Sequence, residues 1–301
     1  VYIALGFYLR AQGLYLEAEE ACRRAITCDP RSAPVHYELG LTLRKLERYE
    51  EAVRAFDLAL RLGLDDAPIH FNRAHALLVT GRYPDALLSV DRSIELAPDN
   101  AAAWFEKGQV LALLEDFNGV IDAFSRTLEL NPKDAHASFG KGEALSALGR
   151  YEDAIAAFDC TLTLDSRFAD AAYGKGLALA RLLNYPEAIK SFNYTLEYVP
   201  DHARAHYQKG LALSKSENYE LAIEEFTNAL THYPSIYDAM YRSGLAYIQL
   251  GQYEKALQSF ENVLANDSSC AAEWYEKAET LQSLERYEES LAAYDRTLEL
   301  N

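Results

Sequence analysis

Residues 135–168 read AHASFGKGEALSALGRYEDAIAAFDCTLTLDSRF, and residues 203–236 read ARAHYQKGLALSKSENYELAIEEFTNALTHYPSI. Set one above the other, they agree in kind at many columns without an insertion or deletion. Alanine opens both; an aromatic stands fifth, glycine eighth, tyrosine seventeenth, alanine twentieth and phenylalanine twenty-fourth. Carried along the chain, this thirty-four-residue register starts new rows at Ala33, Ala67, Ala101, Ala135, Ala169, Ala203, Tyr237 and Ala271, and residues 1–32 form a row lacking its first two positions. Self-similarity at such a period means a stack of units, each burying its apolar face only against its neighbours.

The repeat resolves a conflict between length and composition. Three hundred and one residues exceed what one ordinary core organises, yet nine prolines and fifteen glycines provide no run that reads as a linker. A stack needs no linker and grows without a single centre, so the expectation is one solenoid over 1–301, in repeats 1–32, 33–66, 67–100, 101–134, 135–168, 169–202, 203–236, 237–270 and 271–301. Half the residues are apolar and a quarter charged, as in a folded globular chain. No apolar stretch approaches the roughly eighteen residues of a membrane span. A net charge of −17 argues against nucleic acid and anionic membranes as partners. Cys22, Cys28, Cys160 and Cys270 are too scattered for a disulfide framework or a zinc site, which points to a reducing, cytoplasmic setting.

Several columns are nearly invariant. Position eight is Gly6, Gly40, Ala74, Gly108, Gly142, Gly176, Gly210, Gly244 and Ala278. Glycine inside a helix costs about 1 kcal/mol against alanine, so its recurrence calls for a close approach of two helices there. Position twenty is small except at Val120 and Ser290, and position seventeen is aromatic in all nine rows. Position twenty-four is mostly Phe, broken by Cys22 and Val90. Prolines fall at connections or first helical turns, where a missing N–H costs little. The unit is therefore helix A over positions one to fourteen, a turn that often carries Gly (Gly13, Gly81, Gly149, Gly251), and helix B over eighteen to thirty.

These columns resemble the tetratricopeptide repeat, and the resemblance covers the whole chain. It implies an all-α fold: a right-handed superhelical solenoid of stacked antiparallel helix pairs, with the A helices lining a concave face where relatives bind peptides. Position five borders that face and is aromatic in each complete row: Tyr37, Phe71, Phe105, Phe139, Tyr173, Tyr207, Tyr241 and Tyr275. Such rings either form a stacking rail for a ligand or fill space between neighbouring A helices. Positions nine, twelve and thirteen vary more. They give apolar stretches near Leu78 and Leu113 and over Leu177, Leu211, Leu245 and Ile248, with cations at Arg10, Arg44, Lys45, Arg181 and Lys215. The expected partner is another protein, presenting a peptide or helix with apolar anchors and some acidic side chains. Relatives that clamp a terminal carboxylate use Lys at five and Asn at six and nine; others hold peptide backbone with an Asn ladder at six. Neither set is present, since only Asn72 remains in column six.

Position seven is mostly basic, from Arg73 to Lys277, and reads either as an anion ladder or as stems whose charges meet acidic B helices. His36, His70 and His206 share a packing column with Trp104 and Trp274, while His202 and His206 have the spacing of one helix face. No phosphate-binding glycine loop, nucleophile constellation or metal cluster appears, so no enzyme, cofactor or metal is expected within these residues. Leu291, Tyr294 and Leu298 lie at core-facing spacing on the final helix B. That predicts either a segment of a longer chain, including a recruitment segment of a larger enzyme, or a solenoid that self-associates end to end.

Overall fold

The computed structural model describes residues 2–300. They fold into two compact units, residues 1–149 and 150–301. The first unit holds A helices α1 (Tyr2–Ala11), α3 (Ala33–Lys45), α5 (Ala67–Val79), α7 (Ala101–Leu113) and α9 (Ala135–Ala147). Between them run B helices α2 (Tyr15–Cys28), α4 (Tyr49–Arg61), α6 (Tyr83–Leu96) and α8 (Phe117–Leu130). The second unit begins with B helix α10 (Tyr151–Leu164) and adds α12 (Tyr185–Tyr198), α14 (Tyr219–His232), α16 (Tyr253–Asn266) and α18 (Tyr287–Leu300). Its A helices are α11 (Ala169–Arg181), α13 (Ala203–Lys215), α15 (Tyr237–Gln249) and α17 (Ala271–Ser283). Within each unit every helix packs on the next, and an A helix also touches the next A helix from α1 to α9 and from α11 to α15. The fold is the expected all-helical stack of helix pairs. Helix B starts at the aromatic of position seventeen, one residue before the predicted start.

In five of the pairs the core is a phenylalanine held against glycine. An added Cβ at Gly40 would lie 2.5 Å from the Phe56 ring, and the same holds for Gly108 and Phe124, Gly176 and Phe192, Gly210 and Phe226, and Gly244 and Phe260, at 2.5–2.6 Å. The close approach inferred at position eight is thus between a helix A backbone and a ring from helix B. Row one instead sets Gly6 against Cys22 and row nine combines Ala278 with Tyr294, while row three agrees with this account. Row three carries Ala74 at position eight, and its position twenty-four is the smaller Val90, both fully buried. Position six of the following repeat closes on the other side of the ring where glycine permits, as at Gly140 with Phe124 and Gly174 with Phe158.

The A–B turn is a left-handed helix stop in every row. Position fifteen has positive φ at the four expected glycines (69–78°) and also at Glu47, Glu115, Leu183, Glu217 and Glu285 (58–61°). The following residue donates its N–H back to position eleven, as from Arg48 to the Leu43 carbonyl at 2.9 Å and from Asn184 to the Leu179 carbonyl at 2.9 Å. This closes the last turn of helix A and satisfies a carbonyl that would otherwise lack a partner. Five non-glycine residues accept the left-handed conformation because packing on both sides dictates the reversal.

The B–A connections are tied by the position-four rings. The N–H of Trp104 donates to the Pro98 carbonyl at 2.8 Å, and that of Trp274 to the Ser268 carbonyl at 3.0 Å. His36 and His206 bond the Pro30 and Pro200 carbonyls through Nε2 at 2.9 and 3.0 Å. His202 is no helix-face partner of His206, since its Nδ1 caps α13 by accepting from the Ala205 N–H at 3.0 Å. On α18, Leu291 and Leu298 are 65% and 75% exposed, so among the described residues nothing covers the spacing that reads as core-facing. Tyr294 instead packs beside Tyr275 and donates to Glu279.

Candidate functional site

The position-five rings sit at the edge of the core. Tyr37, Phe105, Tyr173, Tyr207 and Tyr241 lie 5.4–6.0 Å, centroid to centroid, from the position-twenty-four phenylalanine of their own repeat. The space they fill is therefore mainly within the repeat. Tyr275 is exposed and the other seven are half-buried, so one edge of each remains accessible. Burial pushes the hydroxyls of Tyr37, Tyr173 and Tyr241 up from their ordinary value. Burial and its bond to Asp238 push Tyr207 up to about 12. These hydroxyls stay protonated at neutral pH. Asn72, the remnant of column six, is used internally: its amide donates to the Pro68 carbonyl at 2.7 Å and to the Tyr37 hydroxyl at 3.2 Å.

The variable columns divide by burial. Leu177 packs on the Leu179–Phe192 cluster and Leu211 on the Leu213–Phe226 cluster. Leu245 and Ile248 are half-buried. Leu78 joins the core of the early repeats, while Leu113 is 53% exposed. Lys45, Arg181 and Lys215 are exposed and, like Arg44, form no ion pair among the described residues. Arg44 is half-buried with its Nε enclosed and unpartnered. Arg10, by contrast, is held by Glu38 at 3.0 Å. Five of the six position-seven cations are paired with helix B acids: Arg73 with Asp57 and Lys107 with Asp91 at 2.7 Å, Lys175 with Asp159 at 2.6 Å, Lys209 with Glu225 at 2.7 Å and Lys277 with Glu261 at 3.1 Å, while Lys141 has Ser125 at the corresponding place on helix B. They do not form an anion ladder.

A cavity of about 560 Å³ opens between α7, α8 and α9. Phe105 and Phe139 wall it, with Phe117 from α8, and Phe124, Val120 and Ala144 form its buried floor. Gln109, Ala112, Leu113, His136 and Glu143 line the remainder. Substitutions at several columns combine to open it. Gln109 stands at position nine where Leu41, Leu177, Leu211 and Leu245 fill space elsewhere; Ala112 is short; and Gly140 stands at position six where Asn72 fills the corresponding place two repeats earlier. Three predicted groove residues, Phe105, Leu113 and Phe139, meet here. The groove columns do not include Phe117, Val120, Phe124, His136 and Gly140; the sequence signal for the first two is the departure of row four from its columns, with Val120 at twenty and the one Phe among the tyrosines of position seventeen.

Among the described residues no group of His, Cys, Asp and Glu could hold a metal ion, and no helix is long and apolar enough to cross a membrane. The four thiols are unpaired, with Cys22 buried and the other three exposed.

The tetratricopeptide repeat model matches seven overlapping stretches, residues 37–101, 71–119, 121–166, 147–203, 173–235, 207–269 and 241–301. The chain belongs to the tetratricopeptide repeat family, whose stacked helix pairs are a scaffold for protein–protein interaction. No curated protein matches it. Among solved structures it is similar to YrrB, a tetratricopeptide repeat protein with an unusual peptide-binding site, at 26% identity and a TM-score of 0.56, over 62% of this chain and 97% of that one. The fold is also shared with MamA from Desulfovibrio magneticus RS-1, at 22% identity and a TM-score of 0.55 over 57% of this chain and 97% of that one. The C-terminal part of a repeat protein from Cytophaga hutchinsonii has the same fold at 14% identity and a TM-score of 0.68, over 80% of this chain and 98% of that one.

Proposed function

We propose that this chain is a non-catalytic interaction scaffold whose A helices hold an extended peptide or a helix of a partner protein. The observation that carries the reading is the apolar cavity at Phe105, Leu113 and Phe139. It falls on the face where the sequence columns vary, and its 560 Å³ lies within the roughly 300–1,000 Å³ of ligand sites. The peptide-binding site of YrrB supports the same use of the fold. Arg44, with an unpartnered Nε, and exposed Lys45, Arg181 and Lys215 supply cations for acidic side chains elsewhere on the ligand. Each large apolar anchor contributes about 1.5–3 kcal/mol, so two or three, less ordering costs, give affinity on the order of micromolar.

Selection of a random peptide display library on the immobilised protein tests this. The expected result is enriched peptides whose binding is lost in Ala112→Trp, which fills the cavity, and in Leu113→Asp. Both positions are exposed on α7, so the fold tolerates the changes. No enrichment, or enriched peptides indifferent to both variants, would sink the proposal.

A further inference from the structure

We infer that the cavity between α7 and α9 receives an aromatic side chain of the partner segment, and that basic residues flank that side chain. This rests on the peptide-binding reading above and adds the chemistry of its central anchor.

The cavity interior selects the inserted group. Four phenylalanines, Phe105, Phe117, Phe124 and Phe139, converge from three helices, and the floor of Phe124, Val120 and Ala144 offers no side-chain hydrogen-bond partner. A charged or amide group driven onto this floor would lose its water without compensation. An apolar side chain loses nothing, and a ring gains more than an aliphatic chain. Walls of rings set at differing tilts, such as Phe105 and Phe124 at 5.4 Å and 50°, present both faces and edges to it. Phe117 matters because the other eight rows place tyrosine at this position, and a hydroxyl is thereby kept from the wall.

The rim selects the flanks. No lysine or arginine lines the cavity, whereas Glu143 does. Glu115 and Asp116 lie exposed where α7 turns into α8, directly before Phe117. The one lysine of α7, Lys107, is engaged by Asp91 at 2.7 Å, and the one lysine of α9, Lys141, is not part of the lining. A partner with acidic flanks meets like charge here and one with basic flanks meets its complement, so the rim discriminates by sign as well as by attraction. The acidic side chains expected from Arg44 and Lys45 belong further along the ligand, since α3 lies two A helices away from α7.

The test uses labelled Gly/Ser-based peptides with a central Trp, Leu or Ala flanked by Lys or Glu pairs, read by fluorescence anisotropy at low and physiological salt. The expected order places Lys-flanked Trp tightest. Replacing Trp by Ala weakens binding about tenfold or more, as loss of a buried ring requires. Glu flanks weaken it further, Ala112→Trp abolishes the preference for Trp, and Glu143→Gln narrows the gap between Lys and Glu flanks. Glu-flanked Trp binding as tightly as Lys-flanked Trp, or Ala112→Trp leaving the order unchanged, would overturn the inference. If library-selected peptides bind and none of these probes does, the anchor chemistry falls while the scaffold reading stands. If no library peptide binds either, the scaffold reading itself has failed.

Discussion

Gly40 and Phe56 occupy one another's space: a Cβ on residue 40 would lie 2.5 Å from Cε1 of the ring. The same pairing recurs through both units and is relaxed where Ala74 meets Val90. Each of the six rows with Phe at position twenty-four carries glycine at position eight. Gly40→Ala is expected to destabilise by about 1 kcal/mol or more, as overpacking outweighs alanine's better helix propensity. Phe56→Val alone is expected to cost about 2–4 kcal/mol through its cavity. In the double variant the two costs overlap, giving a coupling of about 1 kcal/mol or more in urea midpoints converted with a common slope. Strict additivity would refute the pairing.

Leu183 is the hydrophobic member of the left-handed position-fifteen set, with φ 61° and 70% of its surface exposed. A left-handed non-glycine residue carries about 1–2 kcal/mol of steric cost, and glycine's extra unfolded freedom returns about half of that. Leu183→Gly is expected to stabilise by about 0.5–1 kcal/mol, visible as a higher melting temperature. Gly81→Ala, at the same position with φ 75°, is expected to do the opposite. Equal shifts in the same direction would remove the explanation.

Cys22 lies opposite Gly6 in the core of the first repeat, and burial, then the charge of Glu38, pushes its thiol up to about 11. A raised acid favours the folded state fully below its unfolded value of about 8.5 and loses that contribution as pH rises through about 11. At pH 8, Cys28 and Cys160 should react promptly with an aromatic disulfide. Cys270, raised chiefly by Glu273, should follow, and Cys22 should react only on unfolding. Four fast equivalents from the native protein would contradict the packing.

Asp65 joins two helices, bonding Arg92 on α6 at 2.7 Å and His70 on α5 at 2.6 Å. The Arg92 guanidinium, then His70, holds its carboxyl down to about 2. A depressed carboxyl contributes stability above its unfolded value of about 3.9 and loses it as pH falls through about 2. Asp65→Asn should lower the melting temperature at pH 6 and converge on the unmodified protein between pH 4 and pH 2. A gap that persists unchanged at pH 2 would show that the carboxylate's charge is not the cause.

The candidate site was only partly legible in the chain. Phe105, Leu113 and Phe139 are found by their columns, because helical spacing assigns each to one face. That Leu177 and Leu211 spend their surface on packing, while Leu113 does not, depends on which neighbours are short, and no single column states this. The cavity arises from Gln109, Ala112 and Gly140 acting together across two repeats.

By itself, the sequence determined the family, the helix pairs and their limits to within a residue. It could do so because each repeat repeats the same short-range geometry, and nine rows test every column. Tertiary structure alone decided why glycine stands at eight, why Glu and Leu adopt a left-handed turn, and where the stack stays open. Those features depend on contacts between side chains from different helices, whose volumes must sum to a filled space. Where the sum falls short, at Phe105, Phe117 and Phe139, a cavity of about 560 Å³ remains.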